Sequence, residues 1–230
     1  MAASKKKVET PQELENFESA VLTSEAFIEK NQKGLLIALV AILVVVTGWL
    51  MFRNMYQLPL NAEADALMEK SQVHFEQMQY ELALNGDSIE SVGFVAIADE
   101  YSSTPAGNLA NAYAGLAYYK VGDFDAAIEY LSKFGGADDA VAFSVVGTIG
   151  DCYVQKGETE KALSYFKQAS KSGNVMVAAT YALKLARAYV ALDNQAEALA
   201  IYQSIKDNYK GVLPGMTDVD DVDKFIEALK

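Results

Sequence analysis

NLANAYAGLAYYKVGDFDAAIEYLSKF, from Asn108 to Phe134, is followed by two stretches written on the same plan. GTIGDCYVQKGETEKALSYFKQA runs from Gly147 to Ala169, and YALKLARAYVALDNQAEALAIYQSI from Tyr181 to Ile205. Alignment brings Gly115, Gly150 and Ala186 into register, then Tyr118, Tyr153 and Tyr189, then Gly122, Gly157 and Asp193. Ala127, Ala162 and Ala198 follow, and after them Leu131, Phe166 and Tyr202. The step is 35 residues from Gly122 to Gly157 and 36 from Gly157 to Asp193. Each unit therefore reads as two helices joined by a tight turn. The small residue of the first helix lets its partner approach closely. Gly122 and Gly157 can end that helix in a left-handed turn at little steric cost, and Asp193 less readily. The alanine of the second helix is small at the crossing, and Leu131, Phe166 and Tyr202 fill the space beside it.

This pattern resembles the tetratricopeptide repeat, a helix–turn–helix of about 34 residues. The tryptophan of that repeat is replaced by Asn111, Val146 and Ala182. The expected fold is all-α, a tetratricopeptide-like solenoid with repeats at about 106–134, 141–171 and 177–208. Residues 59–101 read as a further, non-standard helix pair, with one helix from Pro59 to Asn85 and a second from Ser88 to Tyr101. Gly86 is expected to take a left-handed cap and Asp87 to start the second helix. Residues 217–230 read as a capping helix. Thr217 is its cap, Val219, Val222, Phe225, Ile226 and Leu229 its apolar face, and Asp218, Asp220, Asp221 and Asp223 lie near its N-terminus. By the same resemblance, a concave face is lined by the first helices. Leu109, Ala112, Leu116, Tyr119 and Lys120 would lie on it in the first unit, and Ser144, Gly147, Asp151, Val154 and Gln155 in the second. Thr180, Leu183, Arg187, Val190 and Ala191 would complete it. Relatives that clamp a peptide carboxylate use lysines and asparagines at such places. Ala112 and Leu116 stand where that clamp would begin.

Before the repeats lies GLLIALVAILVVVTGWLMF, Gly34 to Phe52, without charge or proline. Nineteen residues at about 1.5 Å each reach roughly 28 Å, close to the hydrocarbon thickness of a bilayer. The run is longer than the apolar part of a signal peptide and starts later, so it is expected to be a retained single-pass transmembrane helix, 34–53. Thr10-Pro11-Gln12-Glu13 looks like a helix start. Leu14, Phe17, Val21 and Ile28 then mark a short amphipathic helix from Pro11 to Glu29 in a cytoplasmic segment, 1–33. Lys30 and Lys33 stand before the span, and Arg53 alone close behind it, so the positive-inside rule places the N-terminus in the cytoplasm. Trp49 and Tyr56 are placed like interfacial aromatics. Asn54–Leu58 reads as a short linker to the exported domain, 54–230.

Composition excludes several functions. The 230 residues carry a net charge of −12. Residues 1–53 hold six cations against six glutamates, so the whole excess belongs to 54–230. An acidic domain is repelled by nucleic acid. Cys152 cannot form an internal disulfide and reads as a buried small residue. With one histidine, His74, and one cysteine, no metal-ligand spacing appears, and no cofactor is expected. Gly135-Gly136 lacks the Lys-Ser/Thr of a phosphate loop. No catalytic constellation is visible, and no small-molecule substrate is expected.

The order of parts is a short acidic helix, one anchor, then helical repeats. With Phe27-Ile28-Glu29-Lys30-Asn31-Gln32-Lys33 before the span and Trp49 late in it, the chain resembles the YfgM-like ancillary subunits of the bacterial SecYEG translocon. The resemblance implies a non-enzymatic binding protein of the inner membrane, with its repeats in the periplasm. Its implied partners are SecYEG and a membrane-anchored periplasmic chaperone. A scaffold of another envelope assembly, or an organelle import receptor, fits the same architecture.

Overall fold

In the computed structural model three helix pairs follow one another from Pro105 to Tyr209. Residues 11–87, 91–136, 138–210, 219 and 221–229 are described, with side chains from Phe27 onward. Among them every regular element is helical. The chain divides into two compact units, Met1–Leu58 and Pro59–Lys230.

In the first unit, helix α1 (Pro11–Phe52) runs on where two helices were expected, because nothing between Glu29 and Gly34 breaks it. Asn31, within this junction, donates its side-chain amide back to the Phe27 carbonyl at 2.8 Å. The stretch within it is long and apolar enough to cross a membrane, and its residues are exposed. Thr47, its one polar side chain besides backbone, donates to the Leu43 carbonyl four residues back at 2.6 Å. Asn54–Leu58 is not a linker: Arg53–Gln57 form a π-helical turn. Pro59 has no N–H to give the carbonyl four residues behind it. Just before it the ladder widens, with the Leu58 N–H bonded to the Arg53 carbonyl five residues back. The Lys5–Lys7 run and the Thr10 cap lie outside the described residues.

The second unit opens one residue into helix α2 (Leu58–Glu76), which Gln77–Gln79 separates from α3 (Tyr80–Asn85). The single helix expected from Pro59 to Asn85 is thus two. Met78 takes φ 61°, and the Gln79 N–H reaches the His74 carbonyl at 2.9 Å, a left-handed helix stop built without glycine. Gly86 has positive φ as expected, but its ψ of 176° makes it an extended corner rather than a left-handed helical cap. Helix α4 (Phe94–Glu100) starts six residues later than the expected Ser88, itself outside the described residues. Asp87 accepts a bond from the Ser91 N–H at 2.9 Å, within the loop rather than at a helix start.

The repeats are α5 (Pro105–Val121) with α6 (Phe124–Lys133), α7 (Asp139–Gln155) with α8 (Thr159–Ala169), and α9 (Val175–Ala191) with α10 (Gln195–Tyr209). Four have side-chain caps. Thr104 Oγ1 accepts from the Gly107 N–H at 2.9 Å, Asp123 from Ala126 at 3.1 Å, Asp138 from Val141 at 2.9 Å and Asn174 from Met176 at 3.1 Å. Gly122 and Gly157 end the first helices with φ of 89° and 75°, and Asp193 does so at 57°. Gly115 and Gly150 lie where a Cβ would come within 2.5 Å of Leu131 and 2.7 Å of Phe166. Ala127, Ala162, Ala186 and Ala198 are all fully buried.

The core runs as successive patches. Phe75, Phe94 and Tyr113 pack α2, α4 and α5 together, with Phe94 and Tyr113 stacked at 5.0 Å. Leu131, Ile149 and Cys152 join α5, α6 and α7. Phe166, Tyr181 and Leu185 join α8 to α9. The last patch packs α9 and α10 under α11 (Val222–Ala228), where Val219, Val222 and Ile226 are buried and Phe225 and Leu229 half-buried. This is the apolar face expected of a cap. Thr217, Asp218 and Asp220 lie outside the described residues.

Candidate partner-binding surface

Each first helix touches the next: α5 meets α7, and α7 meets α9. The second helices α6, α8 and α10 make no such contacts with one another among the described residues. The stack is therefore tighter on the side of the first helices, which line its concave face. Tyr181 fixes this spacing. Its ring lies where a Cβ on Gly147 would be 2.0 Å away, and its hydroxyl donates to the Ser144 carbonyl at 3.0 Å. Burial pushes that phenol up to about 12.

Two cavities open on the concave face. The first, about 500 Å³, lies between α5 and α7 with Phe75 at its edge. Leu109, Ala112, Leu116 and Ser144 line it, together with Tyr113, Val145 and Thr148. The second, about 220 Å³, lies between α7 and α9. It gathers Asp151, Val154, Arg187 and Ala191, with Lys184, Thr159, Phe166 and Ala188.

The second cavity is the more polar. Lys184 Nζ donates to Asp151 Oδ2 at 2.6 Å and stands 4.9 Å from the centre of the Tyr181 ring. Burial pushes the Asp151 carboxyl above its ordinary value, against the lowering effect of Lys184. The Arg187 guanidinium lies 5.8 Å from the centre of the Phe225 ring, so a concave-face residue also touches the capping helix.

The remaining residues expected on this face divide. Lys120, Gln155 and Val190 are exposed but line neither cavity. Tyr119 is half-buried, 5.9 Å from Phe124, and burial raises its phenol while a hydrogen bond from Gln155 lowers it. Leu183 is only 3 % exposed and belongs to the core, so it cannot line a groove. Ala112 and Gly147, at the same repeat position, are also buried; Gly147 meets Tyr181 of the next repeat, while Ala112 forms part of the wall of the first cavity.

Sequence reasoning missed Lys184 and Phe75. Lys184 lies three residues before Arg187, on the same helix face, a signal that was present. Phe75 comes from outside the repeats and carried none. Also missed was a cavity of about 460 Å³ on the convex side, where α8 and α10 splay apart over Leu185 and beside Lys167, Lys171 and Ile201.

The arrangement can seat apolar side chains at one end and exchange ion pairs at the other. Among the described residues no cluster of three or more histidine, cysteine or acidic side chains is placed to hold a metal. Residues 108–134 match one tetratricopeptide-repeat family model and residues 148–212 another. These residues are tetratricopeptide repeats, and the fold is an all-α solenoid. Comparison with curated proteins finds no match.

Proposed function

We propose that this chain is a membrane-anchored interaction protein whose concave face binds segments of other proteins during export across a bacterial inner membrane. The carrying observation is an open concave face with two cavities, in a chain whose other unit holds one exposed helix long enough to span a bilayer. Tetratricopeptide repeats support protein partners in general. The residues from Phe27 to Lys33 and Trp49, through their likeness to YfgM-like subunits, support the translocon SecYEG and a membrane-anchored periplasmic chaperone in particular. In this reading Gly34, Trp49 and Phe52 mark the anchor, the N-terminus is cytoplasmic and the repeats are periplasmic. No chemistry is required. The anchor raises the local concentration of the binding face near emerging chains, and proximity supplies what a modest affinity does not.

The test is in-cell photocrosslinking from Val154 and Val190, both exposed on the concave face. Recovery of a translocon component or an exported chaperone is expected. Stoichiometric capture of a different envelope complex, with neither of these, would make the chain a scaffold of that complex. Protease added to spheroplasts should digest the repeats; protection would reverse the orientation and end the translocon reading.

A further inference from the structure

We infer that the convex cavity between α8 and α10 seats an amphipathic helix of a partner protein, about three turns long and antiparallel to both. This surface lies on the side opposite the concave face and is independent of what that face binds. Shape sets the length. The lining residues on α10 run from Glu197 to Tyr209, about 18 Å along the axis. Among the described residues α8 and α10 do not touch, so they stand further apart than packed helices do. The floor between them is the face of α9 that carries Ala182, Leu185 and Tyr189, and Ile201 and Ile205 form the α10 wall. The volume of about 460 Å³ takes several side chains. The hydroxyls at the walls are engaged. Ser170 Oγ donates to the Lys167 carbonyl at 3.1 Å, and Ser204 Oγ accepts from the Asn208 side-chain amide at 3.2 Å. An extended chain would find few partners here for its N–H and C=O groups, whereas a helix satisfies its own.

Charge sets the direction. Lys167, Lys171 and Glu197 line the cavity, and none of the three has an ion-pair partner among the described residues. α8 and α10 are equivalent helices of successive repeats and run the same way. By the repeat step of 36 residues, Lys167 corresponds to Gln203 and Lys171 to Asp207. The lysines are therefore level with the last turns of α10, and Glu197 lies in its first turn. Asp207, level with Lys171, is held by Gln203 Nε2 at 3.0 Å and does not line the cavity. The cavity is thus positive at one end and negative at the other. An acidic residue in the first turn of the occupant meets the lysines, and a basic residue in its last turn meets Glu197. The same two placements favour the occupant's own helix dipole. A fatty carboxylate would satisfy the lysines and leave Glu197 against hydrocarbon.

The experiment selects hexadecapeptides from a random display library on the full-length chain in phosphatidylcholine nanodiscs, with empty nanodiscs as counter-selection. Enriched peptides should carry apolar residues at the spacing of one helix face, acidic residues before them and basic ones after. Ala200→Trp, at an exposed position on the cavity wall, should abolish their binding. Lys167→Gln with Lys171→Gln should weaken the best peptide by about fivefold and remove the acidic bias. Photolabelling of the wild type needs no variant to fold: a reactive residue in the first turn of the peptide should label 204–209, and one in its last turn 195–200. Labelling in the reverse order, peptides without a charge order, peptides that bind Ala200→Trp undiminished, or no enrichment over empty nanodiscs would each overturn this inference. The crosslinks from Val154 and Val190 on the concave face would stand in all of these cases. Oleate that displaces the peptides and binds with Glu197→Gln unchanged in effect would give the cavity to a lipid and overturn the helix. A dimer seen by mass photometry without peptide, and dispersed by Ala200→Trp, would give it to a second copy of this chain and overturn the partner protein.

Discussion

Gly115 shows how little room the repeat leaves. A Cβ there would meet the Leu131 side chain at 2.5 Å and the Leu131 backbone nitrogen at 2.9 Å. Backbone cannot rotate aside, so Gly115→Ala should destabilise the repeats by about 1–3 kcal/mol, read by urea unfolding; an unchanged midpoint would mean that α5 and α6 are not so closely packed. Cys152 makes the opposite point about reactivity. It is fully buried, and burial pushes its thiol up to about 12. The native protein should not react with a thiol-exchange reagent at pH 8, whereas the denatured chain should react once. Rapid native labelling would show that the α7 packing opens. Residues set by space were legible in the sequence, because Gly115, Gly150 and the three alanines repeat at one spacing. Partners that had to be chosen by the fold were not. Tyr118 stacks on Tyr130 at 5.5 Å and Tyr153 on Tyr165 at 5.3 Å, but Ile201 holds the equivalent place in the third unit and breaks the pattern. Leu183 was misread because one helix position can face either the groove or the next unit, and only the stacking angle decides.

At the scale of elements, α11 is held by charge as well as by its apolar face. Lys206 Nζ lies 2.8 Å from Asp223 Oδ1, and Lys210 pairs with Oδ2 of the same carboxylate. Together they lower the Asp223 carboxyl from about 3.8 to about 2. A depressed carboxyl favours the folded state above its ordinary value, and that favour fades as pH falls through the folded value. Docking of α11 should therefore weaken between about pH 4 and pH 2, and Asp223→Asn should remove this part of the acid sensitivity. The measurement is hydrogen exchange of α11 amides across that range; identical pH profiles in wild type and variant would deny the pairs a role. The capping face itself was legible from the spacing of Val219, Val222 and Ile226. Breaks without a glycine or proline signal were not. Met78 stops α2 in a conformation that methionine rarely adopts; the π-helical turn before Pro59 did carry a proline signal, but it was read as a linker because proline shifted the hydrogen-bond register there.

For the whole molecule, the proposed span can be tested with the one tryptophan in the chain. Trp49 has the Arg53 guanidinium 5.5 Å from its ring centre, a pair suited to the headgroup boundary. In bilayers its fluorescence should be quenched more by labels high on the acyl chains than by labels at their ends. Emission like that of water-exposed tryptophan, with no quenching, would sink the anchor. Span length and the repeats were both legible, because each is a property of many residues in sequence; the two cavities were not, because they lie between helices from different units. The contacts in the repeat region run between neighbours along the chain, from α3, α4 and α5 through each pair to α11. Such a stack closes no long loops. It can assemble in the order in which its units leave a narrow exit, each new pair adding to a finished surface, so the protein needs no distant segment to arrive before its first repeats are native.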